Sequence, residues 1–163
     1  MRTIAIMIAL AACGPGAKGG PSMNNKINAG PEVGAVSSVV SQDILGREPL
    51  SNTAEVKHIL IGWKDLASAY QGRLDQRAEL RTKADAEAQV KALLGQLKAG
   101  AEFEGLMKTN SEDVGSAAAN RAFTVTPDAQ LVIEFRQLSL RLKVGEYGVC
   151  QSDYGFHIIK RLQ

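Results

Sequence analysis

The stretch "SDYGFHIIKRLQ", Ser152 to Gln163, decides the fold. Its side chains alternate as in a strand: Phe156, Ile158 and Leu162 share one face, and His157, Ile159 and Arg161 the other. That spacing sets an imidazole beside Ile159 on the inner face of a small sheet, where both ring nitrogens need partners. The chain has one other histidine, His58, in "EVKHILIGW" (Glu55 to Trp63), and it too interrupts an apolar run of strand type. Two histidines in matching contexts are the first candidates for a shared site.

Composition bounds the possibilities. The 163 residues, 45% hydrophobic and 22% charged, suffice for one domain with a substantial core plus an appendage. A net charge of +2, with acids and bases interspersed, and only 5% aromatics offer no basic face or stacking platform for nucleic acid. The N-terminus, "MRTIAIMIALAACGPG", has Arg2, an uncharged run from Thr3 to Ala12, and then Cys13. About ten residues span only ~15 Å as a helix, half of a bilayer core, so the run is too short to cross a membrane and reads as an export signal. "LAAC" (Leu10 to Cys13) resembles the bacterial lipobox, which implies that residues 1–12 are removed and that Cys13 is acylated. Cys150 would then be the only thiol, and no intramolecular disulfide is possible.

Residues 13–54 begin as a Gly-, Pro-, Ser- and Asn-rich segment without periodicity, expected to be a flexible tether. Within it "QDILGREPLSNTA" carries Ile44, Leu45 and Leu50 and is a candidate strap onto the domain. The domain itself is expected over 55–163. It starts with a strand through Trp63, followed by "KDLASAYQGRLDQRAELRTK", which fits loop or helix. "KADAEAQVKALLGQLKAG" is an amphipathic helix with Ala86, Val90, Leu93, Leu94 and Leu97 in one stripe and Gly100 at its C-terminal cap. A short helix follows with Phe103, Leu106 and Met107 on one face. "RAFTVT" is a strand, Pro127 and Asp128 open a third helix, "DAQLVIEFRQLSLRL", and a turn and two strands close the chain. The order makes a compact α+β domain.

These segments resemble a known family. "VKHILI", "AQVKALLGQLKAGAEFEGLMKTNSEDVGSA", "LVIEF", "LRLKVGEYG" and "SDYGFHIIKRL" occur in the order found in parvulin-type peptidyl-prolyl cis/trans isomerases. The resemblance implies a four-stranded antiparallel sheet covered by about three to four helices. It implies that His58 and His157 are tandem histidines on adjacent strands, each satisfying the other. Asp113 of "SEDVGSA" matches the position where family members carry cysteine or aspartate near the isomerising bond. Ser152 matches a hydroxyl that joins the histidines. Leu131 and Phe135 match the apolar wall of the proline pocket, with Phe123 and Tyr154 as further walls. "AAANRAF" (Ala117 to Phe123) departs from the family's glycine-rich turn.

By resemblance the activity is isomerisation of X–Pro bonds in envelope polypeptides. The protein would be a monomer held by its lipid on the periplasmic side, at the outer membrane. No cofactor and no metal are implied, and two histidines lack further ligands at metal-binding spacing. Apart from the resemblance, His58 and His157 also fit a purely structural pair, and Leu131 with Phe135, four apart, also fit a core stripe. A non-catalytic chaperone using the same groove is the competing class, and an idle domain on a structural lipoprotein a third. Arg73, Arg77 and Arg81, four apart and interleaved with Asp75 and Glu79, read as a solvated, self-neutralised face rather than a phosphate site.

Overall fold

The computed structural model describes residues 36–163; the expected signal peptide, Cys13 and the tether up to residue 35 lie outside the described residues. The compact unit runs from Val36 to Gln163. Along it come α1 (Gln42–Leu45), β1 (Ala54–Ile61), a single 3₁₀ turn (Lys64–Leu66), α2 (Gln76–Glu79), α3 (Lys83–Lys98) and α4 (Phe103–Asn110). α5 (Val114–Ala118), β2 (Phe123–Val125), α6 (Ile133–Ser139), β3 (Tyr147–Ser152) and β4 (Gly155–Arg161) complete it.

The strands form one antiparallel sheet in the order β2-β1-β4-β3. The two histidine strands are therefore its central pair, with His58 opposite Ile159 and Leu60 opposite His157. Alternation sends Ile59, Ile61, Phe156 and Ile158 to one side, where they pack with Val90 and Leu93 of α3 and Phe103 and Met107 of α4. Val56, Ile159 and Cys150 face the other side and pack with Phe135 and Leu138 of α6. Helices thus cover both faces, and the histidines belong to the α6 face. Arg161, buried on that face, donates to the carbonyls of Leu142 at 2.8 Å and Gln163 at 3.0 Å.

Local chemistry explains the long helix. Thr82 and Asp85 form a reciprocal capping box at its start, and Gly100 adopts φ +94° just beyond its end. The predicted stripe is the buried one, with Ala86, Val90, Leu93 and Leu97 inside.

The third helix departs from expectation. It begins at Ile133 rather than at Asp128, so Leu131 precedes it and does not share its face with Phe135. The Asp128 carboxylate accepts from the Thr126 hydroxyl at 2.6 Å, and the backbone turns tightly between Thr126 and Leu131. An Asp or Thr side chain that bonds locally gives the chain an alternative to the helical ladder.

The stretch before β1 also differs from an extended tether. Ser41 donates its backbone N–H to the Val149 carbonyl at 2.9 Å, and its hydroxyl accepts from the Val149 N–H at 3.0 Å. Ile44 and Val39 are buried, and Arg47 pairs with Glu146 at 2.8 Å. A Cβ at Gly148 would stand 3.0 Å from the Ile44 Cδ1, so the glycine lets the strap lie close on β3. The packed chain thus begins well before the expected boundary at Glu55. Ile44→Ala is expected to cost about 2–5 kcal/mol, as for other buried aliphatic truncations. Leu50→Ala, at a side chain 52% exposed, is expected to cost far less. Urea unfolding of both variants measures the difference; equal midpoints would mean that the strap contributes nothing.

Candidate active site

The sheet brings four polar side chains of the sequence analysis into one line. His58 Nε2 lies 3.0 Å from Asp113 Oδ2, and His58 Nδ1 lies 3.3 Å from His157 Nδ1. His157 Nε2 lies 2.8 Å from the Ser152 hydroxyl, which accepts the Tyr154 N–H at 3.1 Å. Both imidazoles and Ser152 are buried.

Donor and acceptor bookkeeping gives this line a direction. The Asp113 carboxylate can only accept, so His58 Nε2 carries the proton. In a neutral His58 ring Nδ1 must then accept, and His157 Nδ1 donates to it. His157 Nε2 is left to accept, and the Ser152 O–H donates to it. The four side chains thereby satisfy every ring nitrogen with one tautomer for each histidine. The tautomers follow from the network of heavy-atom contacts.

Electrostatics agrees with this pattern. Burial lowers the His157 pKa from 6.5 to about 3, which keeps the ring neutral. The His58 hydrogen bond, partly opposed by burial, holds the Asp113 carboxyl well below the usual carboxylate range, and the Ser116 contacts add to it. Asp113 is also the N-cap of α5, its Oδ1 accepting the Ser116 N–H at 3.2 Å. One carboxylate therefore starts a helix and ends the imidazole chain.

An apolar wall stands against the same imidazoles. Phe123 and Phe135 each present an edge-on ring 5.3 Å from His58, and Phe135 lies 5.5 Å from His157. Leu131 and Phe123, both partly buried, pack on the cluster that holds Phe135. Arg121 places its guanidinium 5.0 Å from the centre of the Phe123 ring, where "AAANRAF" turns through Asn120 at φ +49° into β2.

Tyr154 lies elsewhere. Its ring meets Tyr70 edge-on at 5.5 Å, and the Tyr70 hydroxyl donates to the Tyr154 carbonyl at 2.6 Å. Burial and nearby Glu112 push the Tyr70 hydroxyl up to about 12. A cavity of about 190 Å³ is lined by Tyr70, Arg73, Leu74, Asp75 and Glu112. Sequence reasoning missed Tyr70, because nothing local marks a tyrosine in a polar loop as a partner of the β3–β4 turn.

The arginines resolve differently from a helical face. Only Gln76–Glu79 is helical here. Arg77 pairs with Asp75 at 2.9 Å, while Arg81 pairs with the distant Glu112. Arg73 has no carboxylate partner among the described residues. Cys150 is a buried free thiol whose pKa burial raises, which makes it unreactive.

The low pKa of His157 has a consequence for stability. Unfolded, the ring binds a proton below pH 6.5; folded, it resists protonation down to about pH 3. Stability is thus complete above pH 6.5 and falls as pH drops from there toward 3, by at most ~1.4 kcal/mol per pH unit. His157→Phe is expected to be less stable at pH 7.5, because His58 and Ser152 each lose a partner at about 1–3 kcal/mol per unpaired group. Its stability should nevertheless decline less between pH 6.5 and 4.5. Denaturant midpoints across that range decide it, and an unchanged slope would place the titrating group elsewhere.

The family model described as "PPIC-type PPIASE domain" matches residues 39–163. The "Foldase protein PrsA" of Geobacillus kaustophilus is 29% identical over 122 residues, covering 74% of this chain and 43% of the relative. The "Chaperone SurA" of Hahella chejuensis is 30% identical over 128 residues, covering 78% of this chain and 24% of the relative. The chain therefore spans less than half the length of these curated relatives. The solution structure of TbPIN1 superposes with a TM-score of 0.58 at 23% identity, covering 70% of this chain and all of that one, which shows the same fold.

Proposed function

The chain belongs to the PPIC-type peptidyl-prolyl isomerase family, the parvulins, and from that premise we propose that it isomerises X–Pro bonds in exported polypeptides and so assists their folding. The observation that carries the proposal is the Asp113 carboxylate, held ionised by His58 beside the Phe123–Phe135 wall. Rotation about an X–Pro bond breaks amide conjugation, with a barrier of roughly 18–20 kcal/mol. Uncatalysed it takes tens to hundreds of seconds.

No covalent bond needs to break, so catalysis consists in binding the twisted amide better than either planar form. In the planar amide, conjugation puts negative charge on the carbonyl oxygen; in the twisted form that charge is smaller. An apolar wall that grips the pyrrolidine ring and strips water from the carbonyl favours the twisted form. A carboxylate facing the carbonyl oxygen pushes the same way. In this proposal Leu131, Phe135 and Phe123 grip proline, and Asp113 biases the amide. His58, His157 and Ser152 fix the orientation and charge of Asp113. Tyr154 packs on Tyr70, away from this wall, and is given no part in gripping proline.

Arg77 and Arg81 already have carboxylate partners, which favours unmodified over phosphorylated peptides. The relatives' names, foldase and chaperone, accord with a polypeptide substrate. Among the described residues no helix is long and apolar enough to cross a membrane. The proposed attachment is the lipid on Cys13, holding a monomeric domain in the cell envelope, on the periplasmic side of the outer membrane.

A second reading has its own support: the glycine-free "AAANRAF" segment and Arg121 over Phe123 alter one wall, as suits a chaperone that binds extended peptides without turning them over.

The deciding measurement is protease-coupled isomerisation of a proline tetrapeptide by residues 36–163, with suppression of client aggregation assayed alongside. Asp113→Asn is expected to lower kcat/KM at least tenfold, or ~1.4 kcal/mol of barrier, while circular dichroism stays native. Full activity in that variant would remove Asp113 from the mechanism. Aggregation suppression without turnover in the parent would support the chaperone reading.

Anchoring is tested separately. Cys13→Ser is expected to abolish lipid labelling and to shift the protein from the membrane to the soluble fraction or leave it unprocessed. Normal processing with unchanged detergent partitioning would refute the lipid anchor.

A further inference from the structure

The segment Ser111–Asp113 carries the carboxylate of the proposed site, yet it belongs to no strand and lies between two short helices. Its position depends on bonds to the end of β1. Leu60 donates its N–H to the Ser111 hydroxyl at 3.1 Å, and Glu112 returns its N–H to the Leu60 carbonyl at 2.9 Å. The Glu112 side chain then reaches past the strand end, its Oε2 accepting the Gly62 N–H at 2.6 Å. Arg81 closes the ring by donating to the other oxygen of Glu112 and to the Gly62 carbonyl, the latter at 2.8 Å. Arg77 adds a bond to the Ser111 carbonyl at 3.0 Å.

The Glu112 side chain is 3% exposed and the Arg81 side chain 12%. A buried carboxylate without its counter-ion is strongly unfavourable, so each holds the other in place. A surface pair would hold nothing so firmly. A short peptide link separates this clamp from Asp113, whose contact with His58 at 3.0 Å would not survive a displacement of about 1 Å.

We propose that Glu112 is a positioning residue for the isomerase site: clamped by Arg81 and Gly62, it sets the Asp113 carboxylate against His58 and the substrate amide. This rests on the isomerase reading above and extends it to residues that touch neither substrate nor imidazole. Glutamine cannot replace Glu112, because both oxygens accept: a single amide oxygen must abandon either Gly62 or Arg81 and point an NH₂ at a donor. The same clamp places Glu112 in the wall of the cavity lined by Tyr70, Arg73, Leu74 and Asp75, so one side chain joins the loop after β1 to the segment that carries Asp113.

The test uses the full chain and two readouts. Glu112→Gln is expected to lower kcat by about tenfold to a hundredfold with little change in KM, and to shift the His58 Nε2–H resonance in a ¹⁵N-labelled sample. The double variant Glu112→Gln/Asp113→Asn should be no slower than Asp113→Asn alone, because Glu112 acts only through Asp113. Gly62→Ala gives an independent probe: its Cβ would stand 3.0 Å from the Glu112 Oε2 and should reproduce the resonance shift with both charges intact. The proposal is overturned if Glu112→Gln keeps wild-type turnover and the wild-type His58 resonance, or if the two losses multiply in the double variant. Absence of turnover in the parent protein would refute the isomerase reading, and the His58 resonance would still decide whether Glu112 places Asp113.

Discussion

Two imidazoles buried between central strands must satisfy four ring nitrogens without water. That requirement organises the rest of the structure. It puts the partners on opposite flanks, Ser152 at the end of β3 and Asp113 at the start of α5, and with both rings neutral it leaves a single consistent direction of donation between them. An imidazolium at His157 would reverse the last link, since Nε2–H would then donate to the Ser152 oxygen and leave the hydroxyl proton without this acceptor. Burial and hydrogen bonding therefore favour the same neutral ring.

The line of bonds joins pieces of chain far apart in sequence, and each end has a second duty. Asp113 begins α5, while Ser152 accepts the Tyr154 N–H and so shapes the turn into β4. Gly155 follows at φ +130°, where an added Cβ would come within 2.5 Å of the Ile61 carbonyl. The β3–β4 turn can thus lie directly on the end of β1 only with glycine there. Site and fold share residues, so a substitution chosen to disturb chemistry also disturbs packing. Kinetic and stability readouts need to be separated for that reason.

The Arg81–Glu112 clamp shows the division of labour in a small domain. The sheet supplies rigid positions for the histidines, whereas the carboxylate sits on a connecting segment with little secondary structure of its own. An ion pair shielded from water gives such a segment the fixity that strand pairing gives the histidines. The strap before β1 does the same at one edge of the sheet, covering β3 through Ser41 and Ile44. An unpaired sheet edge would otherwise expose backbone donors and acceptors to other chains.

Much of this was legible in the residues alone. The alternation in "GFHIIKR" predicts which side chains share a face with His157, and the stripe from Ala86 to Leu97 predicts the buried side of α3. Both follow from the fixed periods of strand and helix, which act over a few residues. The family resemblance singled out His58, Asp113, His157 and Ser152, and the folded chain sets their side chains within hydrogen-bonding distance of one another in a line. Tertiary structure decided the remainder. α6 starts at Ile133, and before it Thr126 and Asp128 bond to each other in a local turn that competes with a helix there. Tyr154 turned toward Tyr70, Arg81 found Glu112 rather than a carboxylate near it in sequence, and Ile44 found the gap above Gly148. In each case the partner lies beyond the reach of a local period or competes with it. Periodicity states which face a residue occupies; only the folded chain brings distant faces into contact and decides which polar group each one meets.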